Sequence, residues 1–156
     1  MFRTIARRLL GIVCGGAVFF VSAGSLAGEP TGLIIIDEIS IYYTISPADM
    51  IREYPKGSSL REMHGGPPQG KHVHHLMVAL FDSDKRQPIT DAKVIAQVSN
   101  VGLQETTKEL EPMTLGNAHT FGNYFDFSDS GKYKVDLEVQ MLGAGKTIQA
   151  SFEHKH

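Results

Sequence analysis

Cysteine is almost absent from the sequence. The single one, Cys14, falls in an N-terminal stretch with the character of an export signal, so residues 28–156 hold no thiol. That excludes a disulfide framework, a thiolate nucleophile and a thiolate metal ligand. A large excess of either charge is also lacking. Fifteen Lys and Arg against 17 Asp and Glu give a net charge of −2, far from the basic balance of a nucleic-acid binder. Beyond the N-terminus no run of about 20 apolar residues occurs, which excludes a helical membrane bundle. No Gly-x-Ser-x-Gly or similar context surrounds a serine, so the serine-hydrolase nucleophile is missing as well. At 156 residues there is no room for a two-domain enzyme, and 42% hydrophobic content fits one small globular domain rather than a disordered chain.

Residues 1–27 read as a cleaved signal peptide. Arg3, Arg7 and Arg8 make a positive start, Leu9 to Ala23 an apolar stretch, and Ser25-Leu26-Ala27 a small-x-small cleavage pattern. A retained anchor helix is the alternative. Val13 stands where a lipidation site needs a small residue before its cysteine, so a lipid anchor is not expected. The expected product is a periplasmic domain, residues 28–156. Without the three arginines it has 12 Lys and Arg against 17 Asp and Glu, a net charge of −5.

The spacing within that domain is almost wholly of strand type. Gly32 to Ile45 is rich in β-branched and aromatic residues and reads as one long strand or two short ones. Ser46 as an N-cap and Pro47 at the first helical position predict a helical turn to about Tyr54. Residues 56–69, with repeated Gly and Pro, read as a long open loop, a feature that is often functional. Strands are then expected over 72–82, 91–98, 103–110 (polar, near an edge), 121–127, 133–141 and 147–156, with 112–120 irregular. The clearest is the penultimate one, where Tyr133, Val135, Leu137, Val139 and Met141 alternate with polar residues. About seven short strands with frequent turn signals predict an all-β, immunoglobulin-like antiparallel β-sandwich without the antibody-type disulfide. A small antiparallel barrel is the second choice.

Histidine is what the domain has in quantity: all seven lie within it. Met63-His64 sits on the Gly/Pro loop and could fold over as a lid. His72, His74 and His75 open a strand, followed by Met77. Met113 and His119 flank the irregular segment, and His154 and His156 end the sequence as either ligands or a solvated tail. Residues i and i+2 of a strand share a face, so His72 and His74 can close on one ion, whereas His74 and His75 point apart. Met77 and Met141 read as core filler. Neutral imidazole with thioether sulfur suits copper, with Cu(I) favoured by the sulfur. The candidate metal ligands are thus Met63, His64, His72, His74, His75, Met113 and His119, with the choice between His74 and His75 open.

The runs HHLMVALFD, DAKVIAQV, LEPMTLGNAHTFGNYFDF and SGKYKVDLEV resemble small exported β-sandwich proteins of the YtkA-like kind. Glu111-Pro112-Met113, His119, Phe121-Gly122 and Gly131-Lys132-Tyr133 also resemble the periplasmic metal-binding proteins that accompany bacterial high-affinity iron uptake. That family pairs a Pro-Met with a His-aromatic-Gly motif before a Gly-Lys-Tyr strand; here Thr120 stands between His119 and the aromatic. The resemblance covers roughly residues 72–156. It implies an immunoglobulin-like fold that binds copper or ferrous iron through His, Met and acidic side chains, with Met113 and His119 among the ligands. The family's glutamate-bearing strand has no counterpart.

The leading expectation is a periplasmic transition-metal carrier, chaperone or buffer for copper as Cu(I) or Cu(II), with Fe(II) and Zn(II) as further candidates. Its partner would be a periplasmic or inner-membrane metal transporter, with no nucleic acid involved, and a homodimer is an open alternative to the monomer. A non-metal interaction or adhesion module is the second class. A small zinc enzyme using His72, His74 and His119 is the third, disfavoured because a 129-residue sandwich offers little substrate pocket.

Overall fold

The structure is a computed structural model, and it describes residues 31–100, 105–128 and 130–156. The expected signal peptide and its cleavage site lie outside the described residues. So do residues 103 and 104, assigned to a strand above. No helix among the described residues is long and apolar enough to cross a membrane.

The described residues form an all-β, antiparallel fold of nine strands rather than about seven. They are β1 (Thr31–Ile36), β2 (Ile39–Pro47), β3 (Val73–Asp82), β4 (Gln87–Pro88), β5 (Ala92–Asn100), β6 (Thr106–Leu115), β7 (Ala118–Asp126), β8 (Lys132–Met141) and β9 (Lys146–Lys155). Their order is β1-β2-β3-β7-β6-β5-β8-β9, with the short β4 beside β3. The expected long N-terminal segment is a hairpin. Asp37 and Glu38 both take positive φ, as a tight turn that follows the strand twist requires.

Strand β6 belongs to both layers. Its first half pairs with β5 (Val94 opposite Leu110) and its second half with β7 (Pro112 opposite Phe121). It is therefore central, not near an edge, and Pro112 sits where it passes from one sheet to the other. At the opposite seam Tyr43 of β2 stacks on Phe152 of β9 with ring centroids 3.7 Å apart, and Lys146 pairs with Asp37 at 3.4 Å. The sandwich is thereby nearly closed, barrel-like.

Strict alternation fills the interior. Leu76, Val78 and Leu80 of β3, Val94, Ala96 and Val98 of β5, and Tyr133, Val135, Leu137 and Val139 of β8 are all buried as the pattern predicts. Ile148 and Ala150 join them, and Phe152 packs against the core.

Three local expectations are corrected. Ser46 remains in β2, and helix α1 (Ala48–Arg52) starts after Pro47 with no side-chain cap. The region read as an open loop contains α2 (Ser59–Glu62) and a 3₁₀ turn at Met63–Gly65. The irregular 112–120 segment is instead a hairpin closed at Gly116-Asn117. These differences set the faces of the candidate ligands.

Candidate metal centre

The outer face of the β3–β7–β6 sheet is covered rather than solvated. Segment 48–66 crosses it, burying Ala48, Ile51 and Leu60, and Ser59 Oγ donates to the Thr114 carbonyl of β6 at 3.2 Å. Arg52 ties down the following loop by donating to the Pro68 carbonyl at 2.6 Å. Under this flap lies a cavity of about 150 Å³ whose walls include Thr44, Tyr54, Leu60, His75 and Met77.

At the edge of that cavity the sheet has a notch. Gly122 of β7 stands between Met77 of β3 and Glu111 of β6. A Cβ at this position would lie 2.7 Å from His75 Nε2 and 2.8 Å from Met113 Sδ. The missing side chain is therefore what lets an imidazole from one neighbouring strand and a thioether from the other meet over a single backbone position. Strand alternation explains the convergence, because His75, Gly122, Met113 and Glu111 all project to the outer face.

His64 closes the group from the flap. It takes left-handed backbone angles (φ 56°, ψ 23°), uncommon for a residue with a Cβ, and Gly65 and Gly66 reverse the chain behind it. Its ring lies 5.6 Å from that of His75 and 5.9 Å from that of Tyr124, and the His75 and Tyr124 rings are 4.8 Å apart. His64 Nδ1 lies 2.7 Å from Glu111 Oε2. A carboxylate can only accept, so Nδ1 carries the proton, and Nε2 is the nitrogen left to bind a metal. That is the arrangement in which a carboxylate fixes the tautomer and orientation of a metal-binding histidine.

Both imidazole Nε2 atoms, of His64 and of His75, are buried without a hydrogen-bond partner, as are Thr120 Oγ1 and the Tyr124 hydroxyl. Such orphaned polar atoms are unfavourable in a finished core and call for a partner such as an ion or a water. Burial, with the nearby His64 adding to it, lowers the His75 pKa from 6.5 to about 4, so the ring is neutral at ordinary pH. Burial also raises the Tyr124 hydroxyl above its usual value. The group thus offers two buried imidazole Nε2 atoms and one thioether sulfur. Beside it stand the Glu111 carboxylate, hydrogen-bonded to His64, and the Arg52 guanidinium, whose positive charge is felt at the Tyr124 hydroxyl.

The other histidines go elsewhere. His119 is exposed and lies on the opposite face of β7 from Gly122, opposite Thr114 in register. The structure therefore does not bring it to Met113, because the hairpin fixes both by alternation. A Gly-Asn pair between two β-prone runs was the available signal for that hairpin. His74, the other side of the His74/His75 choice, points inward. There it meets His72, His154 and His156 at one end of the sandwich, around Phe127. The His74–His156 and His72–His156 ring centroids are 4.9 and 5.5 Å apart. His154 is buried and belongs to β9, so the ending is no solvated tail. Burial, then His74 and His156, lower the His154 pKa; burial, then His74 and His72, lower that of His156. Met63 is half-buried on the 3₁₀ turn beside His64. Among the described residues, no three His, Cys, Asp or Glu side chains already stand as a closed ligand set. The outer group reaches three donors only by counting the Met113 sulfur. Glu111 and Tyr124 are not among the ligands expected from the sequence; a carboxylate two residues before a candidate ligand on a strand shares its face, and that spacing is the signal for Glu111.

No protein-family model matches the chain, and no curated protein matches it. Solved structures do share its fold. One is a copper-bound variant of FetP from uropathogenic Escherichia coli strain F11, with 15% identity and a TM-score of 0.63 over 83% of this chain and 97% of that one. Another is copper-reconstituted P19 from Campylobacter jejuni, with 10% identity and a TM-score of 0.62 over 83% and 96%. A third is a DUF4426 family protein from Pseudomonas aeruginosa PAO1, with 13% identity and a TM-score of 0.65 over 81% and 94%. At these identities the likeness is one of fold, a small β-sandwich.

Proposed function

We propose that the chain is an exported metal-binding protein that carries or buffers copper, with Cu(I) held by His75, Met113 and His64 beneath the 48–66 flap. The observation that carries this reading is the meeting of a buried, unpartnered His75 Nε2 and the Met113 sulfur over Gly122. Thioether with imidazole favours Cu(I) over Fe(II), Zn(II) or a hard cation, and three soft or borderline donors suffice for it. The copper-bound structures that share the fold agree with copper as the cargo. In this reading the protein does no covalent chemistry. His75 and Met113 bind, Glu111 orients His64, and Thr44, Tyr54 and Leu60 exclude water. The flap residue His64 is the donor most easily withdrawn, which suits transfer to a membrane metal transporter in the periplasm.

Anaerobic Cu(I) titration against a competing chelator tests this. Met113→Leu should weaken binding at least tenfold, whereas His119→Ala should leave it unchanged. Equal affinity for the wild type and Met113→Leu would overturn the assignment.

A further inference from the structure

Strand β3 carries histidine on both faces, and the inner group is left unused by the copper reading. It stands at the open end of the sandwich, where His72 and His74 at the start of β3 meet His154 and His156 at the end of β9. The backbone holds them there. Phe127 N–H donates to the His72 carbonyl at 2.9 Å, and His156 exchanges two hydrogen bonds with Gly131 at 3.0 and 3.2 Å. Phe127 forms the apolar floor, its ring 5.3 Å from that of His74 and 5.0 Å from that of His154.

Several of the nitrogen atoms are available as ligands. His74 Nδ1 lies 2.9 Å from the His72 carbonyl, which can only accept, so the proton is on Nδ1 and Nε2 is the nitrogen left to bind. His154 Nε2 is buried without a partner in a residue only 7% exposed. His72 Nδ1 and His156 Nε2 face each other at 3.2 Å. Two nitrogens bound tetrahedrally to one ion at about 2.0–2.1 Å are themselves about 3.3 Å apart, and their ring centroids about 5 Å apart. The observed centroid spacings of 4.9, 5.5, 6.3 and 6.4 Å need the rings to close by about 1 Å. His72 is exposed and His156 partly so, and closing on an ion needs only their mutual 3.2 Å hydrogen bond to be given up. The Asp126 carboxylate acts electrostatically on His156 and supplies negative charge beside the group.

We propose that this end of the sandwich is a second metal site, formed by His72, His74, His154 and His156, that takes a divalent ion of the Zn(II) or Cu(II) kind. It contains no sulfur, so its preference differs from that of the thioether site on the other face. It stands independently of the Cu(I) reading, since the two groups share no ligand.

Zn(II) titration of the full, untagged exported chain by calorimetry tests it, with the thermal unfolding temperature as a second readout. The wild type should bind one equivalent of Zn(II) and be stabilised by it. The pair Met113→Leu with His64→Ala should keep that equivalent. The pair His154→Gln with His156→Gln should lose it, with affinity falling at least 100-fold. Should that pair fail to fold, His72→Gln with His156→Gln, both outside the core, should weaken Zn(II) at least tenfold. Absence of Zn(II) binding in the wild type would overturn the proposal. So would retention of full affinity in a folded variant lacking two of the four imidazoles, or its loss when only Met113 and His64 are changed.

Discussion

Gly122→Ala is a one-carbon perturbation aimed at the notch in which the outer group assembles. The backbone at Gly122 is not in the left-handed region, so alanine fits the strand itself. Replacing glycine within a strand would ordinarily stabilise by about 0.5–1 kcal/mol. The new methyl, however, would sit 2.7 Å from His75 Nε2 and 2.8 Å from Met113 Sδ, where ordinary contacts begin near 3.4 Å. Both side chains must retreat. Met113 can rotate, but His75 is 2% exposed and has little room. Overpacking of this kind costs about 1–3 kcal/mol, so the metal-free protein should lose no more than about 2.5 kcal/mol net. Copper suffers more, because the methyl occupies the point toward which both donors converge. Separating them should cost at least about 1.4 kcal/mol of binding, a tenfold loss in Cu(I) affinity. Urea unfolding of the metal-free protein and anaerobic Cu(I) competition measure the two effects separately. Wild-type Cu(I) affinity in a folded Gly122→Ala protein would refute the reasoning, since it would mean that the ion does not sit between these two atoms.

The remaining predictions concern charge and orientation. His75 is held neutral in the folded chain, with its pKa lowered from 6.5 to about 4, so between those values the unfolded chain binds the extra proton more readily. Its contribution is complete above about pH 6.5 and lost as pH falls toward 4. The metal-free protein should therefore lose about 3 kcal/mol of stability over that interval. His154 and His156, also lowered, act in the same direction. Urea midpoints for the wild type and His75→Gln at pH 7.5 and 4.5 check this, and an equal pH dependence in both would count against it. Glu111→Gln should weaken Cu(I) by about 10- to 100-fold while leaving the fold intact, the usual effect of removing the partner that orients a metal-bound histidine. Unchanged affinity there would show that His64 needs no such support.

Much of the fold can be read from alternation, because a half-buried strand writes its inner face directly into the sequence. Tyr133 to Val139 and Leu76 to Leu80 show this. The pattern fails where burial comes from something other than the opposing sheet. His75 lies on the outer face of β3, and only the flap over it makes it a core residue. The flap's helices are each a single turn, too short for a periodic signal. The Met113–His119 pairing illustrates the other kind of miss. Sequence proximity and family resemblance join the two residues, but once Gly116-Asn117 closes a hairpin, alternation sends them to opposite faces. The division of the histidines into an outer and an inner group follows from β3 alone. That His154 and His156 complete the inner one depends on β9 ending beside the start of β3, a long-range fact of topology.

Extended X-ray absorption at the copper edge, on untagged protein loaded anaerobically with one equivalent of Cu(I), bears most directly on the central claim. A first shell of one sulfur and two imidazole nitrogens is predicted, with the sulfur lost in Met113→Leu. A shell of nitrogen and oxygen only in the wild type, or a sulfur that persists in Met113→Leu, would contradict it.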